Sequence, residues 1–117
     1  MEVIVDHFDY PPGTGERTQA KSFLFPRRVL GAWVALTGYS AQYDDGDHHL
    51  QRLTVLLGAG AAVRVDEGWE VRVVSEFNLR DENGDDSYSG RIGFVLLVEL
   101  ESLLTSMTTL FGVFRSS

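Results

Sequence analysis

A chain of 117 residues, 44% hydrophobic and 23% charged, is long enough to bury one core and too short for two, and its composition lies far from that of a disordered segment. The absence of cysteine excludes a disulfide framework, a thiolate zinc site and a cysteine nucleophile. A net charge of -7, a pI near 4.8 and a single basic doublet, Arg27-Arg28, argue against a nucleic-acid partner, which needs clustered Lys and Arg.

The opening stretch MEVIVDHFDY has acids where a secretory leader needs a basic region, and its apolar run is short. A cytoplasmic location is expected, with non-classical release to the exterior left open. No window of about eighteen apolar residues occurs, so no membrane-spanning helix is expected. Twelve glycines against three prolines suit a fold with many tight turns and point to an all-β class.

In chain order, Val3 to Val5 predict a short first strand, and Pro11-Pro12-Gly13 with Thr14-Gly15 make Asp9 to Glu16 a loop. Phe23 to Phe25 form a second short run, ended by Pro26. From Val29 to Tyr39 both parities are apolar, which predicts a strand covered on both faces, or one with a core face and a subunit-interface face. An aspartate-rich loop with His48 and His49 follows. Leu53, Val55, Leu57, Ala61, Val63 and Val65 then alternate around Gly58-Ala59-Gly60, as one bulged strand or as two strands joined by a turn. The bulged strand is favoured, because a hairpin would leave much of the pairing to Ala61 and Ala62. By up-and-down parity one strand puts both acidic loops at the same end, and two strands put them at opposite ends.

The cleanest alternation runs from Trp69 to Leu79, with Trp69, Val71, Val73, Ser75, Phe77 and Leu79 on one face. Arg91 to Leu100 follows as a strand that is either central or at an interface. Leu100, Leu103, Leu104, Met107, Leu110, Phe111 and Phe114 recur at spacings of three and four, the pattern of an amphipathic helix. The expected architecture is an antiparallel β-sandwich of about six or seven strands over residues 1-100, with residues 101-117 as a helical tail of the same domain. Its expected core contains Trp33, Leu53, Val55, Val71, Val73, Phe77, Phe94 and Leu96. The doubly apolar strands at Val29 to Tyr39 and Arg91 to Leu100 predict self-association.

Two loops hold Asp44, Asp45, Asp47 and Asp81, Glu82, Asp85, Asp86, and so account for the excess of 17 acids over 10 bases. Adjacent histidines on a strand point to opposite faces, so His48 and His49 bind one metal only if both lie in the loop itself. Asp81, Asn83 and Asp85 have the alternate spacing of a calcium loop. Asp86 stands where that loop wants glycine and Ile92 where it wants glutamate, which excludes an EF-hand and leaves room only for a weak Ca²⁺ site. The plainer reading is a hairpin turning on Asn83-Gly84. Arg52, Arg80 and Arg91 flank the loops and are the chain's own means of offsetting their charge. No phosphate-binding glycine loop or serine elbow is present, and acid-crowded loops are more often solvated faces than catalytic dyads, so no enzyme activity and no tightly held cofactor is expected.

The run LTGYSAQYDDGDHHL and the later NLRDENGDDSYSGRIGFVLLVEL resemble a small uncharacterised bacterial β-sandwich family with a D-H-H-L signature and an L-R-D-x-x-G-x-D-D-x-Y-x-G block. The likeness spans roughly Phe23 to Leu100 and is carried by Asp47, His48, His49, Leu50, Leu79, Arg80, Asp81, Asp86, Tyr88 and Gly90. More distantly, a short Phe-Pro strand, a long apolar strand and three further strands are similar in order to the H-type lectin domain. That resemblance implies a six-stranded sandwich that trimerises and binds sugars between subunits. Val98-Glu99-Leu100 stands where the lectin's last strand carries a tryptophan. Three functions follow as expectations. The first is a lectin-like binding module, in which Asp44, Asp47, His48, His49 and Arg52 bond sugar hydroxyls and Tyr39, Tyr43 or Tyr88 stacks on the ring. The second is an assembly subunit docking through its apolar tail, and the third is a metal-dependent hydrolase at the His pair.

Overall fold

A computed structural model describes residues 1–44, 52–80 and 86–102. The described residues form seven strands, β1 (Glu2–Gly13), β2 (Arg17–Phe25), β3 (Val29–Tyr43), β4 (Arg52–Ala59), β5 (Val63–Val65), β6 (Gly68–Arg80) and β7 (Tyr88–Leu100). They make two antiparallel sheets. In one the order is β1-β7-β3; in the other it is β2-β6-β4, with β5 also paired to β6. Of the expected helical tail at 101–117, residues 101 and 102 are described and not helical, and residues 103–117 lie outside the described residues.

The two sheets pack face to face because alternate residues of the central strands are apolar. Val71, Val73, Phe77 and Leu79 of β6 and Ile92, Phe94, Leu96 and Val98 of β7 are buried, as are Phe8 and Tyr10 of β1. Rings bridge the layers, Tyr10 to Phe77 at 5.0 Å, Phe77 to Tyr88 at 5.3 Å and Phe23 to Phe94 at 6.2 Å between centroids. Each such pair adds about 0.5–1.5 kcal/mol beyond area burial. Leu53 and Val55 pack against this core from a half-buried position. Trp33 does not. It pairs with Leu97 on the outward parity of the first sheet and is 52% exposed, because apolar residues at both parities of β3 leave period alone unable to say which set faces in.

β1 runs through Pro11 and Pro12, where a loop was expected. It is an edge strand with a register shift between Tyr10 and Gly13, and prolines are tolerated at an edge or a bulge because no ladder hydrogen bond is lost there. That edge is closed by β2: Lys21 Nζ donates to the His7 carbonyl at 2.6 Å and to Asp6 Oδ1 at 3.1 Å, and Gln19 Nε2 donates to the Asp9 carbonyl at 2.7 Å. Inward-turned polar side chains of this kind satisfy carbonyls that would otherwise invite another strand.

β4 and β5 lie on the same edge of β6 and run in the same direction. Arg52 faces Arg80 and Ala59 faces Val73, Gly60 N bonds the Arg72 carbonyl at 3.0 Å, and Val63 resumes the ladder opposite Glu70, one residue out of step. Arg52 to Val65 is therefore one strand with a bulge at Ala61-Ala62. Gly68 then turns into β6 with φ 142°, a conformation open to glycine, and a Cβ there would collide with the Phe25 carbonyl.

Candidate functional site

The bulge decides where the acidic loops go. β3 ends with Tyr43 opposite Tyr88, the first residue of β7, and β4 begins with Arg52 opposite Arg80, the last residue of β6. The segments 44–51 and 81–87 thus leave and re-enter the two sheets side by side, at one end. Each connects one sheet to the other. β6 and β7 lie in different sheets and are not paired, so they do not make the expected hairpin, and the turn at Asn83-Gly84 itself lies outside the described residues. The β1–β2 connection joins the two segments at this end, with Gly13 opposite Tyr88 and Arg17 opposite Phe77.

Asp44 fastens the two acidic segments. Its backbone N–H donates to the Ser87 carbonyl at 3.0 Å, one step beyond the β3–β7 ladder, while Ser87 Oγ and Ser89 Oγ donate to its carboxylate at 2.6 and 2.8 Å. Hydrogen bonds from Ser87 and then Ser89 hold the Asp44 carboxyl below the ordinary carboxylate range. A carboxyl with a depressed folded-state pKa stabilises the fold above its unfolded value, near 3.8, and loses that contribution as pH falls through the folded one. Asp44→Asn is accordingly expected to melt below the wild type at pH 7, with the two melting temperatures converging as acid protonates the folded-state carboxyl. Thermal melts at several pH values check this. The opposite sign holds at Glu76, whose carboxyl is pushed up by a hydrogen bond shared with Glu16. That pair favours the protonated state and weakens the fold as pH rises.

Arg17 is one of the cations at this end. Its guanidinium lies 4.3 Å from the Tyr88 ring centre and 5.4 Å from that of Tyr10, and donates to the Tyr88 carbonyl at 2.9 Å, the Pro11 carbonyl at 2.5 Å and the Tyr88 hydroxyl at 3.4 Å. The Tyr88 hydroxyl is also in hydrogen-bonding distance of the carbonyls of Phe77, at 2.9 Å, and Gly15. Tyr10 Oη and Ser75 Oγ, both buried, are 2.5 Å apart, and burial pushes the Tyr10 phenol up. This polar cluster under the loops was not anticipated from sequence. Gly15, with φ of 76°, bends the chain so that its carbonyl meets the Tyr88 hydroxyl.

The residues expected to bind ligand are distributed unequally. Tyr43, Asp44, Arg52 and Tyr88 are brought to this end, but Tyr88 is completely buried and offers no stacking face. Its parity with Gly90, Ile92 and Phe94 turns it inward. Tyr43 is half-buried with its hydroxyl enclosed. Tyr39 stands four rows away, about 13 Å at 3.4 Å per residue, and is exposed. Arg91 Nε bonds Asp9 Oδ1 at 2.7 Å, and Asp9 Oδ2 lies 3.1 Å from His7 Nε2. Arg52 and Arg80, both exposed, face each other across the β4–β6 ladder where the loops begin. Asp47, His48 and His49, and Asp81, Asn83 and Asp85, lie outside the described residues. Among the described residues no group of three His, Asp or Glu side chains could hold a metal ion, and no helix is long and apolar enough to cross a membrane.

Compared with known proteins, the chain matches no family model, no curated protein and no solved structure.

Proposed function

We propose that the chain is a non-enzymatic, lectin-like binding module that takes a carbohydrate, or a similarly hydroxylated polar ligand, at the end carrying the acidic loops. The supporting observation is the clamp at Asp44, whose bonds to Ser87 and Ser89 hold the roots of the two polar loops together. Sites for hydroxylated ligands need several convergent donors and acceptors held by a rigid scaffold, and a loop cluster on a sandwich end supplies that. Arg52 and Arg80, opposite each other at the loop roots, supply planar guanidinium donors; Asp47, His48 and His49 are the loop's own candidates. A glycan array run with the full chain is expected to return a carbohydrate signal that falls at least tenfold in Arg52→Ala. An array without signal would discard the reading.

The same end has a calcium-dependent version, in which oxygens of Asp81, Asn83 and Asp85 hold Ca²⁺. Neutralisation by arginine needs no such ligand set, so the melting temperature is expected to be unchanged between Ca²⁺ and chelator. A rise of several degrees with Ca²⁺ would instead mark a metal bound by the folded state.

An assembly subunit is the second reading. Glu101 N bonds the Arg28 carbonyl at 2.8 Å and Arg27 bonds the Glu101 carbonyl at 3.0 Å, which pins the start of the apolar tail at the end of the sandwich opposite the acidic loops. Docking through that tail would leave the loops free. Under this reading, deleting residues 101–117 leaves a soluble folded protein that no longer assembles.

A further inference from the structure

The outer face of the β1-β7-β3 sheet is apolar along its middle. Ile92, Phe94, Leu96 and Val98 of β7 are buried, so Arg91, Gly93, Val95, Leu97 and Glu99 point outward. Register places these in rows with their neighbours: Gly31 beside Glu99, Val3 and Trp33 beside Leu97, Val5 and Ala35 beside Val95, His7 and Gly38 beside Gly93, Asp9 and Ser40 beside Arg91. Val5 is 75% exposed, Val3 59% and Trp33 52%. A contiguous exposed patch of this kind marks an interface.

Two features of the face are related by position. The Trp33 ring reaches over Gly31, where a Cβ would stand 2.6 Å from it. Toward the other end of the same strand is a hollow of about 270 Å³ lined by Thr37, Gly38, Tyr39, Ser40, Arg91 and Gly93. The Val5-Val95-Ala35 row is midway between them. A two-fold axis through that row and across the strands would carry Trp33 onto the hollow of the second copy and Glu99 onto its Arg91. The arrangement is self-complementary, as an isologous contact must be.

We infer that two copies of this chain pair face to face through the outer surface of the β1-β7-β3 sheet, the Trp33 indole of each filling the hollow beside the partner's Gly93 and Glu99 facing the partner's Arg91. Sheets stacked in this way sit about 10 Å apart, a gap that an indole spans. Three strands about 4.8 Å apart and eight steps of about 3.4 Å give a face of about 400 Å², hence roughly 800–1,000 Å² buried by the pair. That is the low end for a specific interface, the range of weak and transient contacts. The pairing leaves the acidic end of each copy open and stands independently of the carbohydrate reading.

Sedimentation of the full chain from about 1 to 300 µM tests this. The wild type is expected to pass from monomer to dimer, while Trp33→Ala and Glu99→Arg each weaken the association at least tenfold. Both side chains are exposed, and unchanged thermal melts at low concentration would show that the variants fold. A wild type that stays monomeric, a trimer, or a dimer that survives Trp33→Ala overturns the pairing. So does a dimer abolished by removing residues 103–117 while Trp33→Ala leaves it intact, which would assign the contact to the tail.

Discussion

Gly90→Ala is expected to destabilise the fold by about 3 kcal/mol or more. Gly90 sits in the central strand β7, between Tyr10 of β1 and Ala41 of β3. A Cβ there would lie 2.5 Å from Phe77 Cζ and well inside contact with the Ser40 carbonyl oxygen. Neither neighbour can retreat. The Ser40 carbonyl belongs to the paired backbone of β3, and the Phe77 ring is held between Tyr10 at 5.0 Å and Tyr88 at 5.3 Å. Gly38→Ala is the matched control: it lies in the same sheet, a Cβ there meets nothing within 4 Å, and its cost should stay under about 1 kcal/mol. Urea denaturation midpoints of the two variants make the comparison. Similar midpoints would mean that Phe77 does not pack on the backbone of β7 as described.

Arg17→Ala should cost about 2–3 kcal/mol, because a charge-assisted donor to the carbonyls of Pro11 and Tyr88 and a cation held against two tyrosine rings are lost together. Arg17→Lys should recover less than half of this, since a single ammonium cannot reach both carbonyls while stacking on Tyr88. The consequence for function is local. Arg17 ties the β1–β2 connection to the first residue of β7, and Ser87 beside it holds Asp44. Loss of the guanidinium should therefore loosen the loop roots and weaken ligand binding beyond what the change in stability explains. Melting temperature and ligand affinity measured on the same variant separate the two.

Much of this architecture was written in alternation. Val71, Val73, Ser75, Phe77 and Leu79 declared one face of β6, and Ile92 to Val98 one face of β7, because each strand is the centre of its sheet and buries every second residue. The placement of both acidic loops at one end followed from a single local feature, the bulge at Ala61-Ala62, once that stretch was read as one strand. Trp33 was misplaced because β3 is apolar at both parities and lies at an edge, where burial depends on the neighbouring layer and not on period. The β1 prolines were read as a break because sequence does not announce which strand is an edge. Arg17 was invisible for a different reason: its partner Tyr88 is 71 residues away, and nothing near position 17 signals it. Tyr88 was misread as a ligand-facing ring, though counting back by twos from Phe94 places it in the core.

Binding of the proposed ligand at the roots of the two acidic loops is tested most directly by a map of backbone amide shifts on titrating the chain with the carbohydrate that an array selects. The perturbed amides among the described residues are expected to cluster at Tyr43, Asp44, Arg52, Arg80 and Ser87. Perturbations centred on Gly38, Ser40, Arg91 and Gly93, on the outer face of the β1-β7-β3 sheet, would contradict this.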